Sequence, residues 1–168
     1  MCMANNIKNY NERLKLLIED MQKKIQDPEN RKDIIFVNNR LIELEYTKED
    51  NTTIINYSKF QTDAMLNQSV WSRYFNGTNI RTSHDTFLKI VIGLHLDQEA
   101  AEKYLSMVGD GFRLTDKRDQ IILAVIKLDY FGETEIEKVI EMIQKYLDFF
   151  SKEEVKHGGK PFSTLYEI

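Results

Sequence analysis

An all-α fold is predicted from three observations. Apolar residues recur at steps of three and four along most of the chain, only 2 Pro and 7 Gly interrupt its 168 residues, and a single cysteine excludes any disulfide or cysteine-zinc framework. A chain of this length can bury a real core. Its lone Cys2, beside the start, points to a reducing, cytoplasmic setting. The stretch Met1–Asn11 is polar and asparagine-rich without the apolar run of a secretory signal, and apolar runs elsewhere stop well short of the ~20 residues of a membrane span. Neither export nor a membrane partner is expected. The net charge of −4 excludes a uniformly basic nucleic-acid coat but not a local basic face.

The elements follow in order. A first helix is expected from about Ala4 to Gln26, with Met3, Ile7, Tyr10, Leu14, Leu17 and Met21 at alternating steps of four and three. That spacing suits a coiled-coil seam, and equally a helix packed on its own body; Asp27-Pro28 stops it. A second helix, Arg31–Glu45, carries Ile34, Val37, Leu41 and Leu44 on one face, with Phe36 and Ile42 widening the stripe. Tyr46–Ile55 breaks the helical period and reads as a surface loop with a short extended piece at Thr53–Ile55. Asn56 is an N-cap for a short helix Tyr57–Met65. Leu66-Asn67 makes a turn, and Gln68–Phe75 forms the next helix, closed at Asn76-Gly77 where glycine can turn left-handed. Two short helices joined by a tight turn form a helix-turn-helix unit.

The run Asn67-Gln68-Ser69-Val70-Trp71-Ser72-Arg73-Tyr74-Phe75-Asn76-Gly77, followed by Thr86-Phe87-Leu88-Lys89-Ile90 and Gly93-Leu94-His95-Leu96, resembles the recognition helix and fourth helix of the XRE family of phage-repressor-type proteins. The resemblance covers about forty residues. It implies a repressor-like helix-turn-helix bundle with added N- and C-terminal helices, of bacterial or phage origin. It puts Trp71 and Tyr74 inward, and Gln68, Ser69, Ser72 and Arg73 outward as readers of base edges. Gln pairs with adenine and Arg with guanine, each bidentate contact giving roughly 1–3 kcal/mol of discrimination. Tyr57, at the preceding helix start, and Asn67, Asn79 and Arg81, flanking the groove, are the expected phosphate contacts. Two positions depart from the family: Gln61 stands where a small residue is usual, and Met65 where the turn glycine falls. Both imply either a wider helix crossing than in a repressor or a shifted register of the resemblance, and the loop before the first of the two helices is longer than the family's.

Beyond this unit, Asp97 to Val108 reads as a helix with acids in its first turn, leaving at Gly109, and Thr115 is the expected N-cap of an apolar helix Gln120–Leu128. The stretch Tyr104–Gly109, with Phe112 and Asp116–Ile122, resembles an all-helical extension that follows XRE-like domains. A last helix, Thr134–Phe150, carries Ile136, Val139, Ile140, Ile143, Tyr146, Leu147 and Phe150 on one face. Glu133, Glu135, Glu137 and Glu141 read as its solvated side or as an acidic docking patch. The tail Lys156–Ile168 is left open between docked and mobile. The chain divides into an N-terminal helix for dimerisation (1–28), a helix-turn-helix domain (29–105) and a helical extension on the same body (106–168).

No enzyme, cofactor or metal is expected. His84, His95 and His157 lack the helical spacing with carboxylates that marks a ligand cluster. Cys2 has no nearby base, and Ser69 and Ser72 sit in no nucleophile elbow. His157-Gly158-Gly159-Lys160 lacks the spacing and preceding strand of a phosphate loop. Two functions remain. One is a sequence-specific DNA-binding regulator, a homodimer through Ile7, Tyr10, Leu14, Leu17 and Met21 that meets double-stranded DNA at a palindromic site, with half-sites about 34 Å apart. The alternative is a non-catalytic interaction module, a phage- or mobile-element-encoded inhibitor or regulatory subunit, that uses the same fold to bind another protein.

Overall fold

A computed structural model describes residues 9–20, 31–48, 51–77, 82–128 and 135–168. The chain is mostly helical, as predicted. A helix over residues 9–20 (α1) precedes α2 (Lys32–Glu43), a two-stranded antiparallel hairpin of β1 (Thr47–Lys48) and β2 (Asn51–Ile55), and then α3 (Tyr57–Asp63) and α4 (Gln68–Asn76). There follow α5 (His84–Gly93), α6 (Gln98–Val108), α7 (Lys117–Lys127) and α8 (Ile136–Lys156). The hairpin replaces most of the expected surface loop. Residues 52–55 are all β-branched, a composition that favours a strand over a coil, and the register Thr47↔Ile55 shifts by a bulge before Lys48↔Asn51.

The core runs from Ile34 to Tyr166 as one apolar cluster, with α5 at its centre. Leu88, Ile90, Val91 and Ile92 of α5 are all fully buried, as befits a helix that is apolar nearly all round. Close approach is what places α3 against it. A Cβ added at Gly93 would meet the Ala64 Cβ at 2.7 Å and the Phe60 ring at 3.1 Å, so only glycine fits opposite this alanine. The small residue at this contact is Ala64, and Gln61 is only half-buried.

Three helices end on the same device. Glu45, Met65 and His95 have left-handed backbones (φ 64°, 55° and 52°) just beyond α2, α3 and α5. In each, the next residue donates its N–H to a carbonyl five residues back: Tyr46 to Leu41, Leu66 to Gln61, Leu96 to Val91. This is the Schellman turn, ordinarily built on glycine. Here the residue after each left-handed one is apolar, and Leu66 and Leu96 are buried. Met65 therefore keeps the tight turn that a glycine would give.

The C-terminal half closes the body. The N-cap of α7 is Asp116, which accepts from the N–H groups of Arg118 and Asp119, and not Thr115 as expected. Asp119 is fully buried and accepts from the Arg113 N–H at 2.7 Å while pairing with His84 Nε2 at 2.7 Å. Arg118 next to it is paired with Asp85 and donates to the Ser163 carbonyl at 2.9 Å. The tail is docked: the Phe162 N–H reaches Ser151 Oγ, the Tyr166 N–H reaches Gln144 Oε1, and Leu165 and Tyr166 are buried. α8 runs six residues past its expected end at Phe150, since no breaker precedes Gly158. Val139, Ile140, Ile143 and Leu147 face the core as predicted, but Tyr146 and Phe150 are exposed.

For α1 the structure bears on one of the two expected uses of its stripe. Every described residue in it is exposed, so packing on its own body does not occur over 9–20. Among the described residues, no helix is long and apolar enough to cross a membrane.

Two outcomes test these constraints. Gly93→Ala should lower stability by about 1–3 kcal/mol, because a buried methyl is forced onto Ala64 and Phe60; thermal unfolding measures it. His95 supplies the second. Burial and the Arg40 guanidinium hold its imidazole below the ordinary 6.5, so the unfolded chain takes up that proton more readily. Its contribution is fully present above pH 6.5 and is lost as pH falls through the folded value. His95→Asn keeps a residue that tolerates the left-handed backbone and should flatten the fall in stability below that pH, as read by denaturant melts across the range.

Candidate nucleic-acid interface

The two faces of α4 have opposite fates. Asn67 caps the helix, its Oδ1 accepting from the Val70 N–H at 3.1 Å, and Gly77 closes it with a left-handed backbone (φ 65°) as the sequence predicts. Between them, Trp71 and Tyr74 are buried, while Gln68, Ser69, Ser72 and Arg73 are all exposed and line one shallow hollow of about 600 Å³. Positions i, i+1, i+4 and i+5 share a helix face. The structure therefore brings these four expected residues together.

Burial of the inner face is strongly aromatic. Trp71 packs between Phe60 and Phe75, with ring centroids 5.2 and 4.4 Å away, and Tyr74 touches Trp71, Phe75 and Phe87. The Tyr74 hydroxyl then locks the helix in place. It donates to Asp33 Oδ2 of α2 at 2.7 Å and shares a hydrogen bond of 3.0 Å with the Tyr104 hydroxyl of α6. Arg31 completes the cluster by pairing with Asp33 at 3.1 Å, donating to the Tyr74 carbonyl at 3.0 Å and lying over the Tyr74 ring. Burial, with Tyr104 and Asp33 alongside, pushes the Tyr74 phenol far above its usual range. It stays a neutral donor at any working pH.

The hydrogen-bonding capacity of the outer face is largely open. Arg73 turns its Nε back to the Ser69 carbonyl at 3.3 Å, and Asn76 Nδ2 reaches Ser72 Oγ at 3.3 Å. The charge around it is mixed. Arg73 is the one cation of α4, Lys59 of α3 sits 5.4 Å over the Tyr46 ring, and Asp63 accepts from the Tyr46 hydroxyl at 2.8 Å. Beyond the α3–α4 turn lies a cleft of about 460 Å³ whose walls include Asp63, Met65, Glu135, Ile136, Glu137 and Glu141.

The expected phosphate contacts fare differently. Tyr57 stands at the start of α3, but its hydroxyl already donates to Asn38 Oδ1 of α2 at 2.8 Å and its ring lies 4.6 Å from Phe75. It joins α3 to α2 and α4, and its phenolic proton is not available to a phosphate. Asn67 is committed through Oδ1 to its cap. Asn79 and Arg81 lie outside the described residues. Asp33, Arg31 and Tyr104, which hold α4, were missed by sequence reasoning because they lie 41, 43 and 30 residues from Tyr74 with no local pattern linking them. Among the described residues, no group of three or more His, Cys, Asp or Glu side chains could hold a metal.

No family model, no curated protein and no solved structure matches this chain.

Tyr74→Phe should cost about 1–3 kcal/mol of stability, since Asp33 and Tyr104 each lose a buried partner. Gln68→Ala and Arg73→Ala should stay within about 0.5 kcal/mol of the parent. Chemical denaturation of the three variants reads the contrast.

Proposed function

We propose that this chain is a sequence-specific DNA-binding regulator that lays the outer face of α4 in the major groove. The observation that carries this reading is the polarity of α4. Four exposed side chains able to pair with bases or phosphates stand on a short helix whose opposite face is locked into the core. A helix kept only as scaffold needs no such row. The tight α3–α4 turn at Met65 supports it, since two helices joined by a short turn are the form of the DNA-binding helix-turn-helix unit. Gln68 suits an adenine edge and Arg73 a guanine edge, while Ser69 and Ser72 accept either partner. The resemblance to XRE repressors rests on these same residues.

A second reading is favoured by one specific observation. The acidic cleft beside the α3–α4 turn, in a chain of net charge −4, repels a phosphate backbone and suits a basic protein segment. On that reading the chain is a protein-interaction module, an inhibitor or regulatory subunit.

Filter binding against a random duplex library over a salt series separates the two. The DNA reading expects retention that weakens steeply with salt, enrichment of a defined sequence, and a loss of roughly 5- to 150-fold in affinity for that sequence in each of Gln68→Ala and Arg73→Ala. Absence of binding at low salt sinks it. Binding that both variants leave unchanged sinks the role given to α4.

A further inference from the structure

The cleft beside the α3–α4 turn has an apolar floor within an acidic rim. Ile140 of α8, which is buried, and Ile136, one turn before it, form the floor, and the exposed Ile168 also lines it. Met65 adds an apolar side chain from the turn. Its left-handed backbone (φ 55°) is one that glycine adopts without strain, yet the position carries a thioether that lies on the cleft and not in the core. The ionisable side chains that line the cleft are all carboxylates, Asp63, Glu135, Glu137 and Glu141. The dipole of α8 favours the acids at its start, but Glu141 lies a turn further on, and Asp63 ends α3, where the dipole disfavours an acid. Among the described residues no cation forms an ion pair with any of the four, and Asp63 takes its hydrogen bond from the neutral Tyr46 hydroxyl.

We propose that this cleft is the docking site of a basic amphipathic helix of a partner protein. Charge complementarity and the layout of α8 carry the proposal. Ile136 and Ile140 stand about 6 Å apart along the helix axis, and Glu137 and Glu141 form a parallel row beside them. A partner helix with apolar residues one turn apart and a neighbouring row of Lys or Arg matches both rows at once. Its apolar residues enter the floor. Its basic side chains lay their aliphatic stems over Met65 and Ile168 while the charged heads meet the rim. A flexible thioether at the edge adapts to the shape of such a segment. The cleft, of about 460 Å³, has room for several side chains of one segment and none for a folded domain. An anionic ligand is repelled by the rim, and a cation without apolar groups leaves the floor uncovered. The proposal rests on the interaction reading above for the existence of a protein partner, and adds the partner's chemistry.

Fluorescence anisotropy of the full chain with labelled synthetic peptides of about 15 residues tests it. The first peptide repeats Leu at steps of three and four with Lys beside each; the second has Ser for every Leu, and the third Glu for every Lys. The first should bind saturably at low salt, with an affinity that falls as salt rises. The other two should bind about tenfold more weakly or worse. Glu137→Lys/Glu141→Lys should weaken the first peptide by about tenfold or more. Glu99→Lys/Glu102→Lys makes the same charge change at exposed positions of α6 and should weaken it less than about threefold. All four positions are exposed, so both variants should melt close to the parent. No binding at low salt, equal binding of the Ser peptide, or equal weakening by the two variants overturns the proposal. Self-association of the chain that the α8 variant abolishes gives the cleft to a second copy and overturns it too. Failure of the peptides removes this partner chemistry alone, whereas the interaction reading itself falls to binding of a defined duplex through α4 in the filter assay.

Discussion

A single phenol organises the exposed face on which the functional reading depends. The Tyr74 hydroxyl sits between the Asp33 carboxylate and the Tyr104 hydroxyl, and so ties α4 to the start of α2 and to α6. Buried polar groups are costly unless every partner is present. Satisfied as it is here, the cluster permits few rotations of α4 about its axis. That fixes which residues of α4 face water. Arg31 adds a second hold by binding the Tyr74 carbonyl near the helix C-terminus, where a cation also complements the helix dipole.

The same economy of positive charge explains why an acidic protein has little field to offer a nucleic acid. Arg31 is paired with Asp33, Arg40 donates to the Leu94 and His95 carbonyls, and Arg118 is held by Asp85 and Ser163. These guanidiniums work as internal staples that join distant elements, a use suited to their rigid fork of donors. Steering by a broad positive surface is consequently weak. On the proposed DNA-binding reading, recognition through α4 rests on short-range pairing by Gln68, Ser69, Ser72 and Arg73.

The pair His84–Asp119 and the neighbouring pair Asp85–Arg118 have a different consequence. They bind the start of α5 to the start of α7, so the helix that follows α4 in the chain is fastened to the C-terminal half of the body. With the docked tail reaching Arg118 through Ser163, the two halves share one core, and a change in the tail bears on α5 directly.

The sequence by itself determined what depends on neighbours along the chain. Helical periods placed the buried rows Ile34, Val37, Leu41 and Val139, Ile140, Ile143, Leu147; Asn56, Asn67 and Gly77 marked helix ends; and Trp71 against Gln68 and Arg73 divided α4 into an inner and an outer face. Where a local signal was ambiguous, tertiary structure decided. Met65 reads as a bulky replacement for a turn glycine, yet its left-handed backbone is held because Leu66 beyond it is buried. Tyr57 reads as a phosphate contact, yet its hydroxyl donates to Asn38 of another helix. The lock of Asp33 and Tyr104 on Tyr74, the fit of Gly93 to Ala64, and the exposure of α1 all join or separate residues far apart in sequence. Periodicity states which side of a helix is apolar, but only the packed fold states whether another surface meets it.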